Sequence, residues 1–386
     1  MKRQIFAPGL FEAAPYAHAV RLDEILYVSS MTALERDGTL AAPGDLLAQA
    51  RKIYENIGLV LQSAGARWED VAKVNHFHSS PGPTPEEFDG LKAVVAEFLP
   101  PGRQAGTDVC LGPAAEGGRL QVEVIAHIGE DKRTLTGGAS NHGALWAPGV
   151  RVGRHVYLSS RRAYGVRQDR AEGSTLAAET HAVYADFDAL LREAGVEWRD
   201  MVRVRQFVTD PAADFNRVRE GREAFVPPGA FTSTSVCSLP GDPSGRDGGP
   251  WTIAVDLYAA TGTKLSSNTN ALVQTPATAH ALTVAGLVHM QAEIPDVDDE
   301  IIFVDDIEAQ SRFVLEKMQL LLEAGGCTWD DVVTSRVFCR DREHLEAVRK
   351  AERTWAGSAV FARSDAVCRF FDPNVLVEIE LTAARR

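Results

Sequence analysis

The chain has 386 residues, 45% of them hydrophobic and 24% charged, a balance typical of a soluble globular protein. A formal net charge of −13 disfavours a broad contact with a nucleic-acid backbone, and no apolar run approaches the roughly 18 residues that a membrane span needs. The five cysteines fit free thiols in a reducing compartment, and residues 1–8 lack the apolar stretch of a signal peptide. We therefore expect a cytoplasmic protein with no nucleic-acid or membrane partner.

One segment occurs three times, at intervals of about 130 residues. In each copy a glycine is followed by a tryptophan, an aspartate and an aliphatic residue or methionine, and the copies are Ala64–Val71, Ala194–Met201 and Gly325–Val332. The tryptophans are 130 and 131 residues apart, and Phe77, Phe207 and Phe338 keep the same spacing. A period of this length indicates three copies of a domain-sized unit. The predicted units are 1–133, 134–262 and 263–386.

Within each unit the predicted elements follow the same order. An apolar hairpin is followed by a long helix whose apolar residues recur at three- and four-residue steps and which stops at a glycine. In unit one these residues are Leu46, Ala50, Ile53, Ile57 and Val60, before Gly65. A strand, a shorter helix and two closing strands complete the unit, and the polar stretches 131–141 and 261–270 predict connecting loops.

The order β-β-α-β-α-β-β predicts an α+β fold with helices on one face of a mixed sheet. The sheet face that carries no helices must also be covered by another part of the protein. Three such sheets in one chain can bury these faces against each other around a pseudo-threefold axis.

Several segments of unit one together resemble the RidA/YjgF family of small trimeric proteins with a chorismate-mutase-like fold. These segments are Pro15–Val20, Tyr27–Ser29, Pro43–Asp45, Ala64–Val71 and Leu120–Ala126. The resemblance covers essentially the whole chain, once per unit, and implies an intramolecular pseudotrimer that is either a monomer or part of a larger homo-oligomer. It also implies hydrolysis of imines and enamines in clefts between units, without a metal or organic cofactor.

The resemblance carries the family's functional residues onto positions in each unit. The ligand-binding arginine of a Pro-Ala-Arg-(Ser/Thr) turn matches Gly106, Ser233 and Arg363. The acidic residue on the last strand is matched to Glu123, Asp256 and Glu380. The tyrosine near the start matches Tyr16, Trp146 and Thr278, and the strand-end serine matches Ser29, Ser159 and Gln291.

Unit three thus keeps Arg363 and Glu380, whereas unit one keeps Tyr16 and Ser29. In the family these two sets come from different subunits, so we predict one complete site between units three and one, and degenerate or specialised clefts elsewhere. A guanidinium matches a carboxylate bidentately, which suits Arg363 to a small carboxylate substrate. Glu380 is the predicted general base that activates water, and Glu378 is interpreted as solvated.

Other residues have weaker signals. The family's asparagine on the second helix is replaced by Lys92, Arg219 and Arg349, of which Arg349 is taken as substrate-binding. Cys110, Cys237 and Cys368 fit the core better than a nucleophile role, and His76 and His78 fit a structural pair better than a metal site. The loop Gly241–Pro250, peculiar to unit two, could cover a site or be an ordinary hairpin loop.

Alternatives to an imine or enamine deaminase stay open. Arg363 could bind a carboxylate without chemistry, or pair with a neighbouring acid such as Glu380, and Tyr16 could bond to the backbone. A chorismatase-like lyase and a ring-opening hydrolase are further possibilities on this architecture. Endoribonuclease activity, ascribed to relatives, gains little support from the charge of −13.

Overall fold

A computed structural model describes residues 1–12, 16–137, 145–162, 175–240, 253–273 and 278–385. In these ranges the chain forms three mixed sheets, each with one long and one short helix on one face. The predicted loop Gly241–Pro250 lies outside the described residues. Among the described helices, none is both long enough and apolar enough to cross a membrane.

The elements of the three units are as follows. Unit one contains β1 Lys2–Ile5, β2 Ala19–Leu22, β3 Ile25–Met31, α1 Leu46–Ala64, β4 Val71–His78, α2 Pro85–Ala96, β5 Ala105–Cys110, β6 Gly112–Pro113 and β7 Leu120–His127. Unit two contains β8 Lys132–Leu135, β9 Gly149–Val152, β10 His155–Leu158, β11 Arg161–Arg162, α3 Leu176–Ala194, β12 Met201–Val208, α4 Phe215–Arg222, β13 Thr232–Cys237 and β14 Ile253–Ala260. Unit three contains β15 Leu265–Ser267, β16 Ala281–Val284, β17 Leu287–Met290, β18 Asp296–Val297, β19 Glu300–Ile301, α5 Ile307–Ala324, β20 Val332–Cys339, α6 His344–Ala356, β21 Ala362–Val367 and β22 Val377–Ala384.

Helix α1 shows why the long helices form where the pattern predicts them. The side chain of Asp45 accepts hydrogen bonds from the amides of Leu47 and Ala48, which satisfies two free donors of the first turn. Gly65 ends the helix at φ 75°, a conformation that favours glycine. The five predicted apolar residues of α1 are all buried, which confirms the face that packs on the sheet.

The strand order confirms the predicted α+β fold with mixed sheets. The orders are β1-β2-β3-β7-β4-β5, β13-β12-β14-β10-β9-β8 and β15-β16-β17-β22-β20-β21-β6. In each sheet one pair is parallel, namely β4 with β5, β12 with β13 and β20 with β21. The short strand β6 leaves unit one and pairs with β21 of unit three.

The two predicted connecting loops are partly strands, so that prediction was wrong in detail. Strand β8 lies within 131–141 and crosses the predicted boundary at 133/134, and β15 lies within 261–270. Each becomes the edge strand of the sheet that follows, paired with β9 or β16. A polar Gly/Ser/Thr composition is compatible with an edge strand because one side of such a strand faces solvent.

Contacts between the units close into a ring. Ala17 of unit one bridges to Ala362 of unit three, Ala147 of unit two to Ala105 of unit one, and Thr278 of unit three to Phe231 of unit two. The repeated phenylalanines Phe77, Phe207 and Phe338 are buried in one common hydrophobic cluster. The sheet faces that lack helices are therefore buried against each other.

Candidate active-site clefts

Each ring contact opens onto a cleft, which we name by the two units that form it. In the 3/1 cleft the segment before β2 meets β21, in the 1/2 cleft the segment before β9 meets β5, and in the 2/3 cleft the segment before β16 meets β13. Strand register makes Gly106, Ser233 and Arg363 equivalent, because each pairs with the same position of β4, β12 or β20. Likewise Gln121, Ala254 and Glu378 stand opposite Phe77, Phe207 and Phe338.

The 3/1 cleft brings together four of the residues predicted to form the site. It encloses about 720 Å³ and is lined by Tyr16, Ser29, Arg349, Arg363 and other residues. The Nη1 atom of Arg363 donates to the hydroxyl of Tyr16 at 2.9 Å, and the guanidinium carbon lies 4.7 Å from the centre of that ring. Units three and one thus contribute to one cleft, as the sequence predicts.

Arg363 is already neutralised within this cleft. Its Nε atom lies 2.7 Å from Asp365, and its Nη1 atom forms an ion pair with the buried carboxylate of Glu352. Arg349 binds the other oxygen of Asp365 at 2.6 Å. Burial alone would raise the pKa of Asp365, but Arg363 and Arg349 hold it below its usual range. Among the described residues, the buried Nη2 atom of Arg363 has no hydrogen-bond partner.

Ser29 organises the backbone at the cleft. Its hydroxyl donates to the carbonyl of Ala17 at 2.7 Å and accepts from the amide of Arg363 at 2.9 Å, so its proton is already committed. In the 1/2 cleft the hydroxyl of Ser159 donates to the carbonyl of Ala147 and accepts from the amide of Gly106. In the 2/3 cleft the Oε1 atom of Gln291 accepts from the amide of Ser233. These three side chains join neighbouring units.

Glu380 lies elsewhere, in a buried ion cluster between the sheets. It contacts Arg205 at 2.6 Å and Arg203 at 2.8 Å from unit two, and Arg336 at 3.3 Å from its own unit. Burial would raise the pKa of Glu380, but these three guanidiniums hold it well below its usual range. Its predicted position beside Arg363 was wrong, because Arg363 faces helix α6 whereas Glu380 faces the neighbouring sheets.

Glu123 and Asp256, predicted for secondary clefts, belong to the same ion cluster. Glu123 accepts from Arg336 at 3.0 Å, and Asp256 forms an ion pair with Lys73 at 2.6 Å. All these side chains are buried, so each charge depends on its partners for stabilisation. The acidic position matched in every unit therefore joins the units and does not line the large clefts.

Glu378, interpreted from the sequence as solvated, is buried and lines the 2/3 cleft. One residue, Ile379, separates it from Glu380, so both side chains point to the same face of β22, and the solvated interpretation was wrong. Burial and the negative charge of Glu380 raise the pKa of Glu378 well above its usual range. The alternation of side chains along β22 is the sequence signal that marks Glu378 as a second inward-facing acid.

The 2/3 cleft encloses about 450 Å³ and holds a different set of groups from the 3/1 cleft. Ser233 stands where unit three has Arg363, and a buried arginine, Arg222, lines the cleft from helix α4. Lys317 also lines it but is held by Glu293 and Asp296, each at 2.8 Å. Burial raises the pKa of Glu293, although Lys317 opposes this effect. The sequence comparison did not single out Arg222.

The 1/2 cleft is filled by an indole ring. A Cβ atom added to Gly106 would lie 2.2 Å from the ring of Trp146, so no larger residue fits there without displacing it. The Nε1 atom of Trp146 donates to Asp108 at 2.6 Å. His76 and His78 bond to the other oxygen of Asp108 at 2.9 and 3.2 Å. This side-chain packing closes the cleft.

The three residues His76, His78 and Asp108 also have donor atoms within 4.8 Å of one another, a spacing that a metal ion could bridge. Their hydrogen bonds to one another, together with the bond between His76 and Tyr54 at 2.7 Å, already use most of these atoms. Burial lowers the pKa of His78, which favours its neutral form. The arrangement agrees with a structural pair of histidines.

The remaining candidates differ in where they lie. Lys92 pairs with Asp89 on the surface of α2, whereas Arg219 lies over the ring of Phe215 and lines the 2/3 cleft as an exposed residue. Cys110, Cys237 and Cys368 are buried, and none forms a disulfide bond with another described residue. Burial raises the pKa of Cys237 to about 12, so a reactive thiolate is disfavoured there.

Known proteins share parts of this sequence and this architecture. Residues 9–128 and 269–385 match the family described as endoribonuclease L-PSP. The chain is 30% identical over 115 residues to the 3-aminoacrylate deaminase RutC of Acinetobacter baylyi, a match that covers 30% of this chain and 88% of that protein.

Solved structures extend the comparison. A chorismatase shares the fold with a TM-score of 0.56 and 17% identity, covering 82% of this chain and 93% of that one. A protein of the conserved Rid family, YyfA from Yersinia pestis, is 26% identical with a TM-score of 0.30, covering 32% of this chain and 99% of that one. The family match spans more than half of the sequence, and the chain belongs to the endoribonuclease L-PSP family, the RidA/YjgF-like proteins, as tandem copies in one polypeptide.

Proposed function

We propose that this protein hydrolyses a small imine or enamine to a carbonyl compound and ammonia, and that the reaction takes place in the 2/3 cleft. The observation that carries the proposal is the buried carboxyl of Glu378, which lines this cleft and whose pKa burial and the charge of Glu380 raise well above its usual range. A carboxyl with such a pKa can give and take a proton within one catalytic cycle. Similarity to a 3-aminoacrylate deaminase supports this reaction class.

The reaction balances with Glu378 as the proton carrier. Its carboxyl protonates the imine nitrogen, or the β-carbon of an enamine, and an iminium ion forms. Water then adds to the iminium carbon while the Glu378 carboxylate accepts a proton from it. Glu378 next returns that proton to the nitrogen, the C–N bond breaks, and the proton of the remaining hydroxyl passes back to Glu378. One water is consumed and one ammonia is released, with no change of oxidation state.

The described residues of the 3/1 cleft include no carboxyl at the position of Glu378. At the position equivalent to Glu378 this cleft has Gln121, which does not titrate and whose amide is bonded to Asp365 and Ala114. The buried acids beside Arg363, Asp365 and Glu352, form ion pairs with that arginine. The predicted residues Arg363, Tyr16 and Arg349 therefore suit a second role, the non-catalytic binding of a small polar ligand, which the unpartnered Nη2 atom of Arg363 favours.

The proposal is tested with imines generated in situ from amino acids by an amino-acid oxidase, and with 3-aminoacrylate. We expect the native protein to accelerate their hydrolysis, and Glu378→Gln to lower kcat by about 10²–10⁴-fold, the usual contribution of a positioned acid or base. Melting temperature and circular dichroism establish that the variant is folded. Native protein without activity on any imine or enamine, or a fully active Glu378→Gln variant, would contradict the proposal.

A further inference from the structure

The 3/1 and 2/3 clefts each have a buried arginine, but the two arginines lie on different elements of the equivalent wall. In unit three Arg363 lies on the strand β21 and Glu352 on the helix α6, and the two form an ion pair. Unit two has Ser233 at the strand position. On the helix, Arg219 and Arg349 are equivalent, so three residues later Arg222 corresponds to Glu352. The guanidinium has moved from the strand to the helix, and the opposing carboxylate is gone.

We propose that Arg222 is the carboxylate-binding residue of the 2/3 cleft, so that the substrate is an imine or enamine bearing a carboxylate, held from the helix side. This inference rests on the proposed function for the reaction itself. The binding of the carboxylate stands on observations of its own.

The first observation is that Arg222 is buried without a negative partner. Only 4% of the residue is exposed, and its hydrogen-bond partner is the neutral phenol of Tyr184; the ion pairs of the described residues do not include Arg222. Its Nη1 atom has no hydrogen-bond partner among the described residues. A buried charge without a counter-ion is costly, so an anionic ligand would be bound strongly here. Arg363, by contrast, has two carboxylates of its own.

The second observation is the surface around Arg222. Its guanidinium carbon lies 4.9 Å from the centre of the Phe231 ring, a position that holds the plane of the group in place. The Oγ atom of Ser233 accepts from the Nε2 atom of Gln291 at 3.1 Å and so can offer its own proton to a ligand. Arg222 and Ser233 both line the 450 Å³ cavity.

The other cations of the cavity suit a carboxylate less well than Arg222. Lys317 is neutralised by Glu293 and Asp296, and Arg219, which also lines the cavity, is exposed, so water screens its charge. Glu378 is buried in the same cavity, and the rise in its pKa favours the neutral carboxyl over the carboxylate. One end of the cavity therefore suits an anion, and Glu378 lies in the same space.

The test measures binding of pyruvate, the 2-oxo acid that hydrolysis of its imine would release, by calorimetry. Methyl pyruvate, which lacks the charge, is the matched ligand. We expect Arg222→Gln to weaken pyruvate binding at least tenfold and to leave methyl pyruvate unaffected. Arg217→Gln, on the exposed face of the same helix, is the matched control and should bind both ligands as the native protein does.

A rescue variant keeps the test informative if the loss of Arg222 disturbs the fold. Arg222→Gln combined with Ser233→Arg returns a guanidinium to the strand, and we expect it to recover part of the pyruvate binding. Unchanged pyruvate binding by a folded Arg222→Gln variant would overturn the proposal, as would equal losses for pyruvate and methyl pyruvate. Pyruvate binding that depends on Arg222 in a protein without imine hydrolysis would leave the carboxylate site standing and refute the reaction.

Discussion

The 3/1 and 2/3 clefts are built from equivalent positions but carry different chemistry. In the 3/1 cleft, Arg363 lies on strand β21 and pairs with Glu352 on helix α6. Gln121 lies on β7, the last strand of unit one. The 2/3 cleft has Ser233 on the strand, Arg222 on the helix and Glu378 on the last strand. The sequence assigned Arg363 and Glu380 to one site, but Arg363 lines the 3/1 cleft and Glu380 lies in the ion cluster between the sheets.

The difference shows how a fused repeat can specialise. Three identical subunits must carry the same residues in every cleft, whereas a single chain can alter each cleft alone. One cleft here keeps a neutralised arginine and a large polar cavity. Another combines Arg222, which has no carboxylate partner among the described residues, with a buried acid whose pKa is raised, and the third is closed by Trp146. We propose that only the second supports hydrolysis.

The largest expected effect is on stability and tests whether Glu380 is structural. Glu380→Gln leaves Arg203, Arg205 and Arg336 without their shared carboxylate, and we expect a loss of about 3–5 kcal/mol of unfolding free energy. Urea denaturation measures it. Glu220→Gln on the exposed face of α4 is the control and should unfold at the native urea concentration. A Glu380→Gln variant with native stability and no hydrolysis would return Glu380 to the catalytic role.

The next largest effect is expected on stability in the 1/2 cleft, which the Trp146 ring closes. Gly106→Ala forces a methyl group against the Trp146 ring, and we expect it to cost about 1–3 kcal/mol. Gly58→Ala is the matched control, because its added Cβ atom would meet Trp68 at 3.5 Å, an ordinary contact, inside helix α1. Thermal unfolding should show a lower melting temperature for the first variant only. Equal melting temperatures would mean that the 1/2 cleft has room for a ligand.

A pH titration sharpens the contrast between Glu378 and Gln121. The folded pKa of Glu378 is raised, so the stability that it contributes is complete below its unfolded value of about 4.3 and is lost as pH rises through the folded value. Between these two values native stability should fall relative to Glu378→Gln, by up to about 1.4 kcal/mol per pH unit. Parallel stability curves for the two proteins would show that Glu378 is ionised in the folded state.

The sequence predicts the fold of this chain better than its chemistry. The 130-residue period and the helix pattern are local signals, and they identified three α+β units and the meeting of Arg363, Tyr16 and Ser29. Strand alternation shows that Glu378 and Glu380 share one face of β22. The cleft or cluster that each side chain reaches depends on which neighbouring unit covers that part of the strand, and the sequence of one unit does not contain this information. Arg222 was missed because the comparison looked for an arginine at the strand position and found Ser233 there.

The central claim is tested most directly by two variants, Glu378→Gln and Arg363→Gln. Their hydrolysis of a carboxylate-bearing imine is measured side by side at saturating substrate. We expect the first variant to lose about a hundredfold or more in kcat while it still binds pyruvate, because the acid of the 2/3 cleft is gone. The second should stay within about tenfold of the native protein, because Arg363 belongs to the other cleft. The reverse order of losses would contradict the account and place the reaction in the 3/1 cleft.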